Sequence, residues 1–246
     1  MQILIGFVIA LFVGFTGIGG GSFTAPALVL ISGLAGAEAV GTALVFSLVV
    51  RLVAAPFYVA GKQVDLRYLW LMLLGALPGL LAGTYVLTTL NAKHLNRMVV
   101  VITGVVLISS SVLTFIIRKR KRVARDRTRL LPWLTLPIGL ETGFSSAGAG
   151  ALGTLVLLNC SEMPASQVVG TDLLFGIVLA GGGALFHASF GSISGPALKE
   201  LLLGGIPGVF VGCILSRRIP SRQLKPLMMG LTLLLGLQLV WSGLVH

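Results

Sequence analysis

A glycine-rich stretch interrupts the first apolar segment of the chain, and it is the strongest indication of chemistry in the sequence. It starts at Gly14 and reads GFTGIGGGSFTAP, and a related stretch, GFSSAGAGA, starts at Gly143, 129 positions later. Glycine frees the backbone from steric limits but leaves its polar groups open, and lipid cannot satisfy such groups. A break of this kind is tolerated only beside protein or a water-filled cavity. We interpret both breaks as walls of one binding site.

A helix that starts at such a break presents unpaired N–H groups and the positive end of its dipole, which together favour an anion. We therefore expect the small and hydroxyl residues of both breaks to bind substrate: Gly19, Gly20, Gly21, Ser22, Ser145, Ser146, Gly148, Ala149 and Gly150. The alternative is close helix packing by small residues, which is common in membrane proteins.

Two threonines at equivalent positions of the two halves, Thr42 and Thr171, are further candidates for substrate binding. Each stands near the start of an apolar span, and its hydroxyl would donate a hydrogen bond to a substrate oxygen. The alternative is a hydrogen bond to the backbone of the threonine's own helix.

Three charged residues lie inside apolar segments, where a charge is costly enough to need a purpose. Arg51 would neutralise an anion; alternatively, its side chain would snorkel to the cytoplasmic face, since its span ends about two turns later. Glu141 and Asp172 have no acidic counterpart in the first half. Either acid is a candidate for proton coupling, because burial favours the neutral form of a carboxyl group. The alternative is structural hydrogen bonding to the broken backbone.

Composition indicates the class of protein. Of the 246 residues, 56% are hydrophobic and 10% are charged, and the uncharged runs reach the roughly 20 residues needed to cross a bilayer. No signal peptide is evident, because Met1 and Gln2 lack a basic region and the apolar start leads straight into the first break. We predict an all-α integral membrane protein.

The net charge of +11 does not indicate nucleic acid binding, because 8 of the 18 basic residues lie in one run, 118–129. Such a run between membrane segments is typical of a cytoplasmic loop beside anionic headgroups. Cys160 and Cys213 form no close pair, so neither a metal site nor a redox motif is indicated. We expect no cofactor and no nucleic acid partner.

The chain divides into a first membrane repeat, 1–117, a basic cytoplasmic linker, 118–129, and a second membrane repeat, 130–246. Glycine, threonine and proline recur at the offset of 129, as in Gly19 and Gly148, Thr42 and Thr171, and Pro78-Gly79 and Pro207-Gly208. This pattern indicates an internal duplication. The predicted helical segments are 3–17, 22–32, 39–59, 68–87 and 98–117, then 130–144, 151–158, 168–190, 198–215 and 224–244.

Loop charge favours inverted halves. With the linker in the cytoplasm, a parallel second half would put the basic turn 217–225 outside, whereas an inverted half puts it inside. Inversion needs an odd number of crossings per half, so each broken segment counts as two passes. We predict two inverted repeats of about five helical segments each, with broken or re-entrant helices meeting near the midplane and both termini outside.

The motifs GFTGIGGGSFTAP, VGTALVFS, VGTDLLFG, GALPGLLAG and GGIPGVFVG, together with the basic central loop, resemble the sulfite exporter TauE/SafE family over nearly the whole chain. The resemblance implies a secondary transporter of small sulfur-containing anions such as sulfite, thiosulfate or sulfonates in the bacterial inner membrane. It fixes neither the substrate nor the direction of transport.

We therefore expect a multi-pass inner membrane protein that transports a sulfur-containing anion, with or without proton coupling. Its partners would be that anion and membrane lipid, and the sequence does not indicate an oligomeric state. An anion channel of the same architecture is the alternative. An enzyme is disfavoured, because clustered His or Cys residues and paired carboxylates are missing.

Overall fold

The chain folds as an assembly of α-helices. A computed structural model describes residues 1–16, 21–59, 64–92, 96–119, 128–148, 150–190, 192–216 and 224–245. Within these ranges there is no β-strand. The helices are α1 Gln2–Thr16, α2 Gly21–Ser32, α3 Gly36–Val59, α4 Leu66–Ala92, α5 Asn96–Lys119, α6 Leu131–Ser145, α7 Ala151–Cys160, α8 Ala165–Ser189, α9 Gly195–Ser216 and α10 Leu224–Val245, with a single 3₁₀ turn, Thr128–Leu130, before α6. The predicted all-α fold is confirmed.

The helices follow the predicted segments, with small differences at their ends. Helix α4 begins before its apolar run because the Asp65 carboxylate caps it, accepting the backbone N–H groups of Arg67 at 2.9 Å and Tyr68 at 3.3 Å. Among the described residues, α3, α4, α8 and α9 each contain a stretch long and apolar enough to cross a membrane. Helices α2 and α7 are too short to cross alone, with 12 and 10 residues. They are the short arms of the two broken segments.

The longest packing contacts join one half of the chain to the other. Helix α1 packs along α9, and α4 packs along α6, each pair running in parallel. A Cβ on Gly75 or Gly79 of α4 would meet the backbone of Pro132 or Leu136 in α6. A Cβ on Gly204 or Gly208 of α9 would meet the backbone of Ile3 or Phe7 in α1. The missing side chains let these backbones touch.

These two sets of contacts are related by the offset of the sequence repeat. Adding 129 to Gly75 gives Gly204, and subtracting 129 from Pro132 gives Ile3, so one contact is the counterpart of the other. Gly79 with Leu136, and Gly208 with Phe7, are related in the same way. Reciprocal contacts of this kind are typical of two similar units about a two-fold axis. Each half therefore packs one of its helices against the other half: α1 lies against α9, and α6 lies against α4.

Equivalent helices of the two halves meet in the middle and run antiparallel. Along α3, Gly41 lies beside His187 of α8, Leu44 beside Gly183 and Arg51 beside Gly176, so residue numbers rise in one helix as they fall in the other. Helices α5 and α10 also run antiparallel, with Gly104 beside Val240 and Ile108 beside Gly236. Antiparallel packing of equivalent helices is the arrangement that an inverted duplication predicts. How the halves lie in a bilayer remains a prediction.

The contact between α4 and α6 gives a test of this packing. We expect Gly79→Ala to destabilise the protein by about 1–3 kcal/mol, because the new methyl group must push apart two helix backbones. Gly230→Ala on α10 is the matched control, since a Cβ there meets nothing within 4 Å. Thermal unfolding in detergent measures both. Equal melting temperatures for the two variants would show that the backbones of α4 and α6 are not in direct contact at Gly79.

Candidate functional site

The second glycine-rich break contacts the start of α2, which directly follows the first break in the sequence. Ser146, the residue after α6, has a left-handed backbone with φ of 61°. Its hydroxyl donates a hydrogen bond to the carbonyl of Gly21, the first residue of α2, at 3.0 Å. A Cβ on Gly21 would collide with the carbonyl of Ser146. The start of one short helix and the broken end of α6 are thus in direct contact.

The second break turns sharply into α7. Gly150 has φ of 122°, a conformation that side chains rarely allow, and its carbonyl accepts the N–H of Thr154 at 2.9 Å. Helix geometry leaves the N–H groups of Ala151, Leu152 and Gly153 without a partner in their own helix. Gly150 is buried. This end of α7 therefore has the backbone groups and dipole that favour an anion.

Other residues of the second break hold its shape. Gly148 is folded back onto α6, where a Cβ would approach the side chain of Glu141 to 3.1 Å and collide with the Ile138 carbonyl. The Ser145 hydroxyl donates to the Glu141 carbonyl at 2.9 Å and accepts the N–H of Ala147 at 3.4 Å. For Gly148, the close-packing alternative describes its surroundings. The Ser145 hydroxyl hydrogen is already used in its hydrogen bond to the Glu141 carbonyl.

The broken end of α6 is held by two side chains, one from α4 and one from α8. The carbonyl of Gly143 accepts a hydrogen bond from Thr84 of α4 at 3.5 Å and lies 3.3 Å from Nε2 of His187 in α8. His187 is fully buried, and its Nδ1 has no hydrogen-bond partner within the described residues. A carbonyl partner places the proton on Nε2, which leaves Nδ1 as an acceptor. Polar residues inside apolar spans were the available signal for both.

Thr42 and Thr171 lie at two separate places. Thr42 donates to the Glu38 carbonyl at 2.7 Å, and it accepts the N–H of Ser194, just before α9, at 2.9 Å. Thr171 accepts the N–H of Asp65, just before α4, at 3.0 Å. Because α3 and α8 run antiparallel, the two threonines differ in level by about 15 residues of helix, or roughly 22 Å. Each one anchors the start of a helix from the other half.

The buried charges Arg51 and Asp172 lie beside the second break. Arg51 is 1% exposed, and its guanidinium lies against Gly176 of α8, so the side chain does not snorkel to a surface. Its Nε donates to Ser47 at 3.4 Å. Asp172 is 2% exposed and accepts a hydrogen bond from Thr154 of α7 at 2.8 Å. Glu141 is buried on α6, below Gly148.

Some predicted site residues cannot be placed. Gly19, Gly20 and Ala149 lie outside the described residues, and Ser22 is described only as part of the α2 backbone. Of the remaining candidates, the structure brings Gly21 and Ser146 into contact, and it groups Ser145, Gly148 and Gly150 with them around one break. It leaves Thr42 and Thr171 apart from each other.

Comparison with known proteins decides the family. The family described as sulfite exporter TauE/SafE matches residues 2–239. The chain belongs to this family. It is also similar to the probable membrane transporter protein YjnA of Bacillus subtilis (strain 168), with 31% identity over 253 residues that cover 97% of this chain and 98% of the relative. No solved structure matches it.

Membership of the TauE/SafE family confirms the resemblance read from the glycine and proline motifs. Together with the apolar helices, it makes the chain a multi-pass membrane transporter. Both comparisons point to transport and not to an enzyme.

The threonine anchors give a second test. We expect Thr42→Val and Thr171→Val each to lower stability by about 1 kcal/mol, because each leaves a backbone N–H without its acceptor. Thr89→Val is the control, since that exposed hydroxyl donates only to Tyr85 of its own helix. Thermal unfolding is measured alongside substrate binding. A Thr42→Val protein of normal stability that fails to bind substrate would instead favour the role predicted from the sequence.

Proposed function

We propose that the protein is a secondary transporter that moves a small sulfur-containing anion, such as sulfite, thiosulfate or an organosulfonate, across the bacterial inner membrane. The observation that carries this proposal is the contact between the two breaks, where Ser146 bonds to Gly21 from the opposite half. The family name points to the same class of anion. The substrate would bind where the short helices α2 and α7 begin.

The chemistry of these helix ends suits a sulfur oxyanion. When fully ionised, such an anion presents several acceptor oxygens and no donor, and a helix start presents only donors. Each helix end contributes about half a positive charge, and two ends offset only part of the cost of removing a dianion from water. The buried guanidinium of Arg51 provides a full positive charge near the same break. We infer that substrate binding uses backbone donors together with this cation.

The antiparallel packing of α3 on α8 supports transport by alternating access. If the halves are inverted repeats, exchanging their conformations converts an outward-facing protein into an inward-facing one around the same site. The two breaks would stay near the centre while the flanking helices move. This mechanism needs an anion site shared by both halves, as Gly21 and Ser146 would provide.

A transport assay tests the function directly. We expect purified protein to bind at least one anion among sulfite, thiosulfate, sulfate and organosulfonates, and to transport it into proteoliposomes with a saturable rate. Gly150→Ala should weaken binding at least tenfold. Gly150 has a φ of 122°, which strains any residue with a side chain, so the substitution should displace the start of α7. Gly195→Ala, where a Cβ meets nothing within 4 Å, is the control. Flux that neither saturates nor responds to a pH gradient would favour the channel.

Topology can be tested by cysteine labelling. In a background with Cys160→Ala and Cys213→Ala, we expect Arg122→Cys and Arg218→Cys to react with an impermeant maleimide only from the cytoplasmic side. Lys93→Cys should react only from the outside, because inversion needs five crossings per half. These three positions lie outside the described residues, so the expectation rests on loop charge. Labelling of Arg122→Cys and Arg218→Cys from opposite sides would contradict inverted repeats.

A further inference from the structure

Arg51 and Asp172 are two buried charges of opposite sign, contributed by different halves of the chain. A Cβ on Gly176 would overlap Nη1 of Arg51, so the guanidinium occupies the space that this glycine leaves on α8. Asp172 lies four residues earlier on the same helix, and residues with this spacing have Cβ positions roughly 5–6 Å apart. The two groups attract each other electrostatically. Both lie away from water, where such attraction is only weakly screened.

Asp172 also contacts the first turn of α7. Its Oδ2 accepts the Thr154 hydroxyl at 2.8 Å, and a Cβ on Gly153 would meet its Oδ1. The N–H groups that helix geometry leaves without an intrahelical partner at the start of α7 belong to the same turn. The carboxylate therefore lies between the buried cation and the helix end that we assign to substrate. It already places one negative charge beside the proposed anion site.

We propose that Arg51 and Asp172 form the element that couples anion binding to a proton. When Asp172 is ionised, its carboxylate holds Arg51 and the pair is neutral. When Asp172 takes up a proton, the pair carries one positive charge, and Arg51 is released to bind the anion together with the start of α7. The proton enters with the anion from one side of the membrane and leaves with it on the other. This inference rests on the proposed transport function.

The other charged groups near Asp172 either have another structural role or lie farther from Arg51. From α4, Asp65 approaches through its backbone, and its carboxylate caps that helix. From α6, Glu141 packs beneath Gly148. Helix α7 presents Gly153 and Thr154, which do not titrate near neutral pH. His187 is on α8 itself but about 15 residues further along, roughly 22 Å away. Asp172 is thus the acid that faces the buried cation of α3.

The test compares four full-length proteins: wild type, Asp172→Asn, the double variant Arg51→Gln with Asp172→Asn, and Glu141→Gln. Binding is measured by calorimetry across the near-neutral pH range, and accumulation in proteoliposomes is driven by a pH gradient. The probe is thiosulfate, or an organosulfonate if the screen favours one, because these anions keep their charge where sulfite gains a proton. The double variant removes both charges of the pair, so neither is left buried without the other. We expect it to fold even if a variant that removes only one of the two charges does not.

We expect wild-type affinity to rise by up to about tenfold for each unit that the pH falls, as one linked proton requires. Asp172→Asn should bind at every pH as wild type does at low pH, and a pH gradient should no longer drive accumulation. The double variant should fold but bind at least tenfold more weakly than Asp172→Asn. Glu141→Gln should keep the wild-type pH dependence.

Several results would overturn the inference. A double variant with wild-type affinity and gradient-driven accumulation would show that the pair is purely structural. Loss of the pH dependence in Glu141→Gln, with its retention in Asp172→Asn, would assign the proton to Glu141. Wild-type protein that binds the probe equally at all pH values would remove proton coupling but leave the proposed function standing. Wild-type protein that binds no sulfur-containing anion would remove both.

Discussion

The central constraint on this protein is that backbone polar groups inside a membrane need partners. A continuous helix satisfies them internally, but a helix that is interrupted at a glycine-rich break does not. At the second break, almost every nearby polar side chain is used for this purpose. Thr84 and His187 approach the carbonyl of Gly143, Ser145 receives the N–H of Ala147, and Ser146 reaches across to Gly21. Helix geometry leaves the first N–H groups of α7 without a partner in their own helix. These N–H groups are the donors that the proposed anion site would use.

The all-α fold and its helical segments could be predicted from the sequence because they depend on repeated, local signals. Uncharged runs mark the long spans, and the glycines and prolines that recur at the offset of 129 mark the duplication. The contacts of Gly75 and Gly204 explain why these residues recur, since both lie where two backbones touch. Hydropathy alone could not locate the helix ends. Capping by Asp65 starts α4 before its apolar run begins, and such polar caps do not contribute to an apolar pattern.

The site was less predictable than the fold, because it depends on which residues meet across the halves. Gly21 at the start of α2 contacts Ser146 of the second break, and the interpretation that both breaks line one site stays a prediction. The type and repeat position of Thr42 and Thr171 suit either a substrate ligand or a hydrogen bond to their own helix, but the same features also suit a residue that anchors a neighbouring helix. Thr154 carried no signal beyond being polar in an apolar run. Its importance depends on the distance to Asp172, which no sequence spacing reveals.

The repeated residues and the charged residues divide between them the two requirements of a transporter. The contacts that recur in both halves, including the close-packed glycines and the two threonine anchors, would let the halves exchange conformations at similar free energy. The buried charges occur once: Ala180 stands opposite Arg51 in the repeat, and Ala43 opposite Asp172. In a transporter that alternates between two states, a single charged pair on a nearly symmetric framework would have different surroundings in each state. Its proton affinity can therefore differ between them even where the backbone contacts do not. Under the proposed coupling, the proton and anion gradients set the direction of net transport, and the pair would provide the link that makes a proton accompany the anion.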